Sequence, residues 1–347
     1  MASSAILLAN LGSPNSYQVK DVRKYLAEFL MDERVIDIPL FARTLLVKGI
    51  IVPFRAPKSA AKYKTIWTEN GSPLIHISRQ VRHLLEEQTG LPVELCMRYG
   101  QPSPGMALEN LQRSHPQLKE VVLVPLYPHY AMSSYETAVV HVEKAHREGN
   151  YPFALKVIPP FYNHQAYIAS LADSVRPHLS ADYDHVLFSY HGVPERHILK
   201  SDPSHSHCLL KESCCDIKSP AHSTCYRHQV TETTRLVAHA LGLKEGSYSF
   251  SFQSRLGRDA WLQPYTAAQL SAFPSKGIKR LLVLSPAFVS DCLETLEEIQ
   301  MEGKNDFLGH GGTEYKVVPC LNTRQDWIRA LDTIVKETMS SEMIKAS

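Results

Sequence analysis

Eight short apolar runs recur along the chain, at residues 5–10, 93–99, 120–126, 155–158, 185–190, 248–252, 280–284 and 314–318. Most are continuous rather than alternating, the pattern of parallel strands covered on both faces. Stretches with helical periodicity separate them, among them 19–31, 78–87, 135–147, 230–241 and 325–339. Strand–helix alternation of this kind predicts parallel sheets flanked by helices on both faces. The sequence also echoes itself. Ile6-Leu-Leu-Ala-Asn-Leu-Gly-Ser-Pro14 matches Val186-Leu-Phe-Ser-Tyr-His-Gly-Val-Pro194, each a strand followed by a Gly-x-Pro turn, and Val121-Val-Leu-Val124 matches Leu281-Leu-Val-Leu284. Parallel strands share a composition, so each match alone is weak, but their common order favours two similar α/β domains. A chain of 347 residues suits that count, because a single core stops growing at about 250–300 residues. The expected domains are 1–160 and 161–320, with 321–347 supplying a last helix that packs back on the first.

In open parallel sheets ligands sit at the carboxyl ends of the strands, so the residues after each run are the functional candidates. His191 follows the fifth run, on rigid backbone beside a Gly-x-Pro turn. After the seventh run come Asp291, Glu294, Glu298 and Glu302, spaced 3, 4 and 4. An α-helix would put these on one face. Such a row is ordinarily a solvated face, and acids near a helix start also suit its dipole. Repelling carboxylates nevertheless favour a compensating cation, and hard oxygen ligands suit a divalent metal. Tyr99, Tyr127, Tyr130, Phe252 and Trp261 follow or end other runs. Each alone is ordinary core; together with His191 and the acids they fit a flat aromatic ligand and a metal. Gly12-Ser-Pro14 lacks the further glycines of a dinucleotide fingerprint, and neither a phosphate-binding loop nor a nucleophile elbow occurs.

The 37 Lys+Arg and 35 Asp+Glu leave a net charge of +2, no basic field for nucleic acid. No apolar run reaches the roughly 18–20 residues that span a bilayer, and the start of the chain lacks the basic region of a signal peptide. A cytoplasmic protein is expected. The largely apolar stretch 40–54 reads equally as a lip through which an apolar ligand enters, with peripheral contact to the inner membrane face, or as a buried helix. Four of the seven cysteines, Cys208, Cys214, Cys215 and Cys225, fall within eighteen positions. In a chain without an export signal such clustering reads as metal ligation. Four thiolates suit an iron–sulfur cluster or zinc, with redox-sensing thiols as the other reading.

The residues resemble the ferrochelatase family. The resemblance is carried in order by Leu8-Ala-Asn-Leu-Gly-Ser-Pro14, Phe29-Leu-Met-Asp32, Asn70-Gly-Ser-Pro-Leu74, Arg98-Tyr99 and Leu126-Tyr-Pro128. It continues through Phe188-Ser-Tyr-His-Gly-Val-Pro-Glu-Arg196, Phe252-Gln-Ser-Arg255, Trp261-Leu262, Ser290-Asp-Cys-Leu-Glu-Thr-Leu296 and Pro319-Cys-Leu-Asn322. It implies a chelatase-like α/β fold of two Rossmann-like domains, a porphyrin-entrance lip near 40–75, and insertion of Fe2+ into protoporphyrin IX to give haem. His191 and Glu294 would be the catalytic and metal-facing pair, and Asp291, Glu298 and Glu302 a path for metal or protons. Leu11, Arg55, Ser72, Arg98, Tyr99, Tyr130, Trp261 and Phe288 would face the porphyrin, with Arg55 and Ser72 suited to its propionates. The cysteine segment, 205–228, resembles that of bacterial members holding a [2Fe-2S] cluster, with Cys208, Cys214, Cys215 and Cys225 as ligands. Two departures stand out. Cys292 sits where many relatives carry His, and Leu11 where some carry Met or Tyr. A Tyr there marks relatives that use coproporphyrin, so Leu11 favours protoporphyrin. A cobalt chelatase for a corrinoid precursor would be expected to show more His than these acids allow, and a non-catalytic porphyrin carrier would not need both His191 and Glu294.

Overall fold

A computed structural model describes residues 3–179, 182–255, 257 and 259–340. Eight strands form, β1 (Ser4–Asn10), β2 (Val93–Met97), β3 (Glu120–Pro125), β4 (Ala154–Val157), β5 (His185–His191), β6 (Tyr248–Gln253), β7 (Arg280–Leu284) and β8 (Glu314–Val317). They make two four-stranded sheets, ordered β2-β1-β3-β4 and β6-β5-β7-β8, and every pairing is parallel. The second sheet repeats the order of the first, so β1 corresponds to β5 and β3 to β7, the strands matched in sequence. Continuous apolar runs mark the central strands because helices cover both faces: β1 and β5 are buried almost throughout. At the edges, β4 and β8 are partly exposed.

The chain folds as two compact units. The first comprises residues up to Leu126, Met132–Pro159 and those from Thr323 onward; the second is Tyr127–Ala131 and Pro160–Asn322. The five-residue excursion Tyr127–Ala131 has no signature in the sequence. In the first unit Ala5, Leu7 and Ala9, alternate residues on one face of β1, pack with Cys96, Leu108, Leu111, Val121 and Leu123. In the second, Leu187, Leu281 and Val283 pack with Leu270, Phe273, Ile299 and Phe307. The helix Gln325–Ser340 buries Trp327, Leu331 and Val335. It returns to the first unit, where Gln88 of the helix Pro73–Thr89 donates to Asp332 at 3.3 Å.

Each central strand is followed within two residues by a glycine that has no space for a side chain. A Cβ on Gly12 would lie 1.8 Å from the carbonyl oxygen of Tyr99, and one on Gly192 2.8 Å from that of Gln253. Tyr99 follows β2 and Gln253 ends β6, so in both units the turn after the central strand closes against the same neighbour. The doubled Gly-x-Pro motif is the sequence trace of that contact.

Among the described residues three helical stretches have wide i→i+5 turns: Leu45–Ile51, Met132–Glu136 and Glu294–Glu302. The last corrects the expected α-helical row of acids. Asp291 precedes this helix, so of that row only Glu294, Glu298 and Glu302 stand on it.

Candidate active site and cysteine segment

The last residue of β5 is His191, on the strand face that also carries Leu187 and Ser189. Its Nδ1 lies 2.7 Å from the carbonyl oxygen of Gly192. A carbonyl only accepts, so Nδ1 carries the hydrogen, and in the neutral ring Nε2 is the nitrogen with the lone pair. Two contacts fix the backbone here: the Tyr226 hydroxyl donates to the His191 carbonyl at 2.8 Å, and the Gly192 amide donates to the Gln253 carbonyl at 2.8 Å. Phe288 lies with its ring 6.4 Å from the imidazole. Trp261 bridges to Pro194 and lies against Gly192. Its indole Nε1 is buried without a hydrogen-bond partner among the described residues. Tyr130, in the same unit, is half-buried and held through its amide, which donates to Gln229 at 2.7 Å.

The carboxylates have distinct fates. Asp291 is bonded through both oxygens: Oδ1 accepts from Thr295 at 2.9 Å, and Oδ2 from the Asn322 amide at 2.6 Å. Its own amide donates to Asn322 Oδ1 at 2.8 Å. It therefore pins the loop before the wide-turned helix to the loop after β8. Glu298 accepts the Ser254 amide at 2.9 Å and the Ser254 hydroxyl at 2.5 Å, with Ser254 in the left-handed region at φ 65°. Glu294 is half-buried and Glu302 exposed. Burial pushes the Cys292 thiol well above its ordinary pKa, and the Glu294 charge and a hydrogen bond to it push the same way. Cys292 is thus a protonated neighbour of Glu294 rather than a thiolate. Sequence reading missed Glu297, which is buried on this helix, and the Ser254 anchor; Ser254 directly follows Gln253, which ends β6 as His191 ends β5, and that was the available signal. Among the described residues, no three or more His, Cys, Asp or Glu side chains are grouped so as to hold a metal ion.

The remaining candidates belong to the first unit. Leu11 is half-buried, its carbonyl accepting from the Tyr99 amide at 2.9 Å. Arg55 is half-buried on the helix Val52–Ile66, and Ser72 is buried just ahead of the helix Pro73–Thr89. Arg98 and Tyr99 are occupied internally. Arg98 pairs with Asp32 and donates to Thr137 at 2.7 Å, while Tyr99, fully buried, donates to Asp32 at 2.9 Å. Burial would raise the Asp32 carboxyl, but the Thr137 hydroxyl, the Arg34 amide and the Arg98 charge outweigh it and hold it low. In stretch 40–54, Leu40, Phe41, Leu45, Ile50 and Phe54 are exposed, Phe41 by 77% and Phe54 by 74%. The buried-helix reading is thereby set aside: only Arg43, Val47 and Val52 turn inward.

The cysteine segment lies within the second unit. Cys208, Cys214 and Cys225 are buried and Cys215 half-buried. Cys225 precedes the helix Tyr226–Leu241, and its sulfur accepts the His228 amide at 3.5 Å. The Cys215 thiol, foremost, and that of Cys208 hydrogen-bond to Cys225 and, against burial, bring it down to about 6. Cys214 adds its charge to both Cys208 and Cys215. Cys208 and Cys215 thus meet at Cys225, with Cys214 near both.

The ferrochelatase family model matches residues 3–339. A ferrochelatase of Opitutus terrae is 49% identical over 97% of this chain and 98% of its own length, and one of Pseudomonas fluorescens is 47% identical over 96% and 98%. Among solved structures, SirB from Bacillus subtilis with Fe3+ covers 98% of both chains at a TM-score of 0.53 and 13% identity, a likeness of fold. A family model spanning nearly the whole chain and full-length relatives near half identity place this chain in the ferrochelatase family.

Proposed function

We propose that the chain is an enzyme that inserts ferrous iron into protoporphyrin IX, giving protohaem, with His191 as the base. Insertion exchanges two pyrrole N–H protons for the metal, so a group must take up those protons. A neutral imidazole is the side chain suited to that near pH 7. The observation that carries this reading is the Nδ1–H bond to Gly192, which leaves Nε2 as the open nitrogen. The proposed partner is Glu294, at the start of the wide-turned helix, with Glu298 and Glu302 continuing along that helix as the route for metal or protons. Asp291, with both oxygens bonded, frames this route rather than lining it. Trp261, Phe288, Tyr130 and Leu11 would contact the apolar ring, and aromatic walls that favour a buckled macrocycle would favour the metalation geometry. Arg55 and Ser72 are assigned to the propionates, Arg being suited to a bidentate carboxylate contact. Arg98 and Tyr99 support these through the Asp32 network. The test is anaerobic ferrous-iron insertion followed by porphyrin absorbance. Wild type should form protohaem, and His191→Ala should lose activity by about 100-fold or more, the scale of a general base. Binding of protoporphyrin without metalation would instead identify a carrier, and faster turnover of coproporphyrin would reassign the substrate.

Two further features belong to this reading. A [2Fe-2S] cluster would be held by Cys208, Cys214, Cys215 and Cys225, where it would cross-link the segment. The exposed stripe at 40–54 would rest on the cytoplasmic membrane face, where an apolar porphyrin partitions; among the described residues no helix is long and apolar enough to cross a membrane.

A further inference from the structure

The cysteine segment carries a frame that closes on protein atoms alone. At its entrance Asp202 is 2% exposed. Oδ1 accepts from the Ser204 amide and hydroxyl at 2.9 and 2.7 Å, and Oδ2 from the amides of His207 and Cys208 at 2.9 Å each. At the far end the Thr224 hydroxyl donates to the Ser201 carbonyl at 2.5 Å. Gln229 donates to the carbonyls of His222 and Ser223 at 3.1 and 2.9 Å. Between these ends three imidazoles hold the backbone beside two cysteines. His207 Nε2 and His222 Nε2 donate to the Cys214 carbonyl at 2.7 and 3.4 Å, and His228 Nδ1 donates to the Cys215 carbonyl at 2.9 Å. The His222 and His228 rings stack at 3.5 Å. None of these bonds uses a thiol. Asp202 is also hard to replace, because both its oxygens act only as acceptors and an asparagine would turn an N–H toward an N–H.

We infer that Asp202 is the positioning residue of a preformed socket, which with His207, His222 and His228 holds the four cysteines in place before a cluster enters. Loss of the cluster then leaves the segment folded, unlike sites in which ligation and folding are one event. The inference rests on the reading of these cysteines as cluster ligands and deepens it.

Limited proteolysis with mapping of cuts within 203–224 reads the socket, while iron and acid-labile sulfide per chain read the cluster. Wild type, Asp202→Ala and His228→Ala are compared as isolated without oxygen and after iron removal by a chelator. Wild type should resist cleavage equally in both states. Asp202→Ala should be cut about tenfold faster in both, since cleavage of a locally open segment follows the open population, and should hold less iron and sulfide. A wild type that becomes as cleavable as Asp202→Ala once stripped overturns the socket. A wild type that never holds iron and sulfide overturns the cluster reading alone, and its cleavage against Asp202→Ala still decides the socket. Should Asp202→Ala lose its cooperative melt, His228→Ala decides instead: faster cutting supports the socket and an unchanged rate overturns it.

Discussion

One hydrogen bond and one missing side chain define the proposed base. Gly192 accepts from His191 through its carbonyl, donates its amide to Gln253, and has a Trp261 ring carbon 3.1 Å from where a Cβ would be. Gly192→Ala must therefore move backbone at the point that aims the imidazole. Overpacking of this kind costs about 1–3 kcal/mol, and a displacement of about 1 Å can cost about 100-fold in rate. Initial rates and thermal melts should show both effects; a variant with wild-type turnover would detach the glycine from the chemistry. His191, expected just after the fifth strand, is that strand's last residue, and Glu294 was singled out through the family motif. Asp291 and Arg98 were legible only as residue types. Their engagement with Asn322 and Asp32 depends on partners 31 and 66 residues away, and no local pattern announces those.

At the scale of elements, the strands were readable because burial on both faces writes a continuous apolar run. The wide turns were not, since the side chains of an i→i+5 helix are those of an α-helix. In stretch 40–54 the turn type decides what the surface presents. The exposed Phe41, Leu45, Ile50 and Phe54 are spaced 4, 5 and 4. The step of 5 falls within the wide-turned Leu45–Ile51, which keeps the four on one side. Lys48 is exposed within this stretch and Lys58 just beyond it. Apolar burial with basic flanks is the pattern of interfacial attachment. Sedimentation with anionic phospholipid vesicles should capture the wild type, and Phe41→Asp with Phe54→Asp should weaken capture by about tenfold or more, given about 1.5–3 kcal/mol per buried Phe. Equal capture of wild type and variant would remove this assignment.

The whole molecule is one four-strand plan used twice. Two halves were legible from repeated order, whereas the passage of Tyr127–Ala131 into the second unit was not. That short segment brings in His129, 2% exposed, between the rings of Tyr190 and Tyr226. Burial lowers its pKa to about 3 from 6.5. Between those values the unfolded chain binds a proton that the folded chain does not, so stability is intact above about pH 6.5 and falls as pH drops, by up to about 1.4 kcal/mol per unit. His129→Gln should flatten that slope in urea midpoints measured from pH 7.5 to 5; an unaltered slope would assign the acid sensitivity elsewhere. The duplicated plan has a last consequence for ancestry. Leu11 and His191 align in the doubled motif, each immediately before the glycine, at an offset of 180 residues, Leu11 just past β1 and His191 as the last residue of β5. Two equivalent positions were on offer and only one holds an ionisable group; with His191 as the proposed base, the halves would have divided their labour, leaving Leu11 free to be retuned.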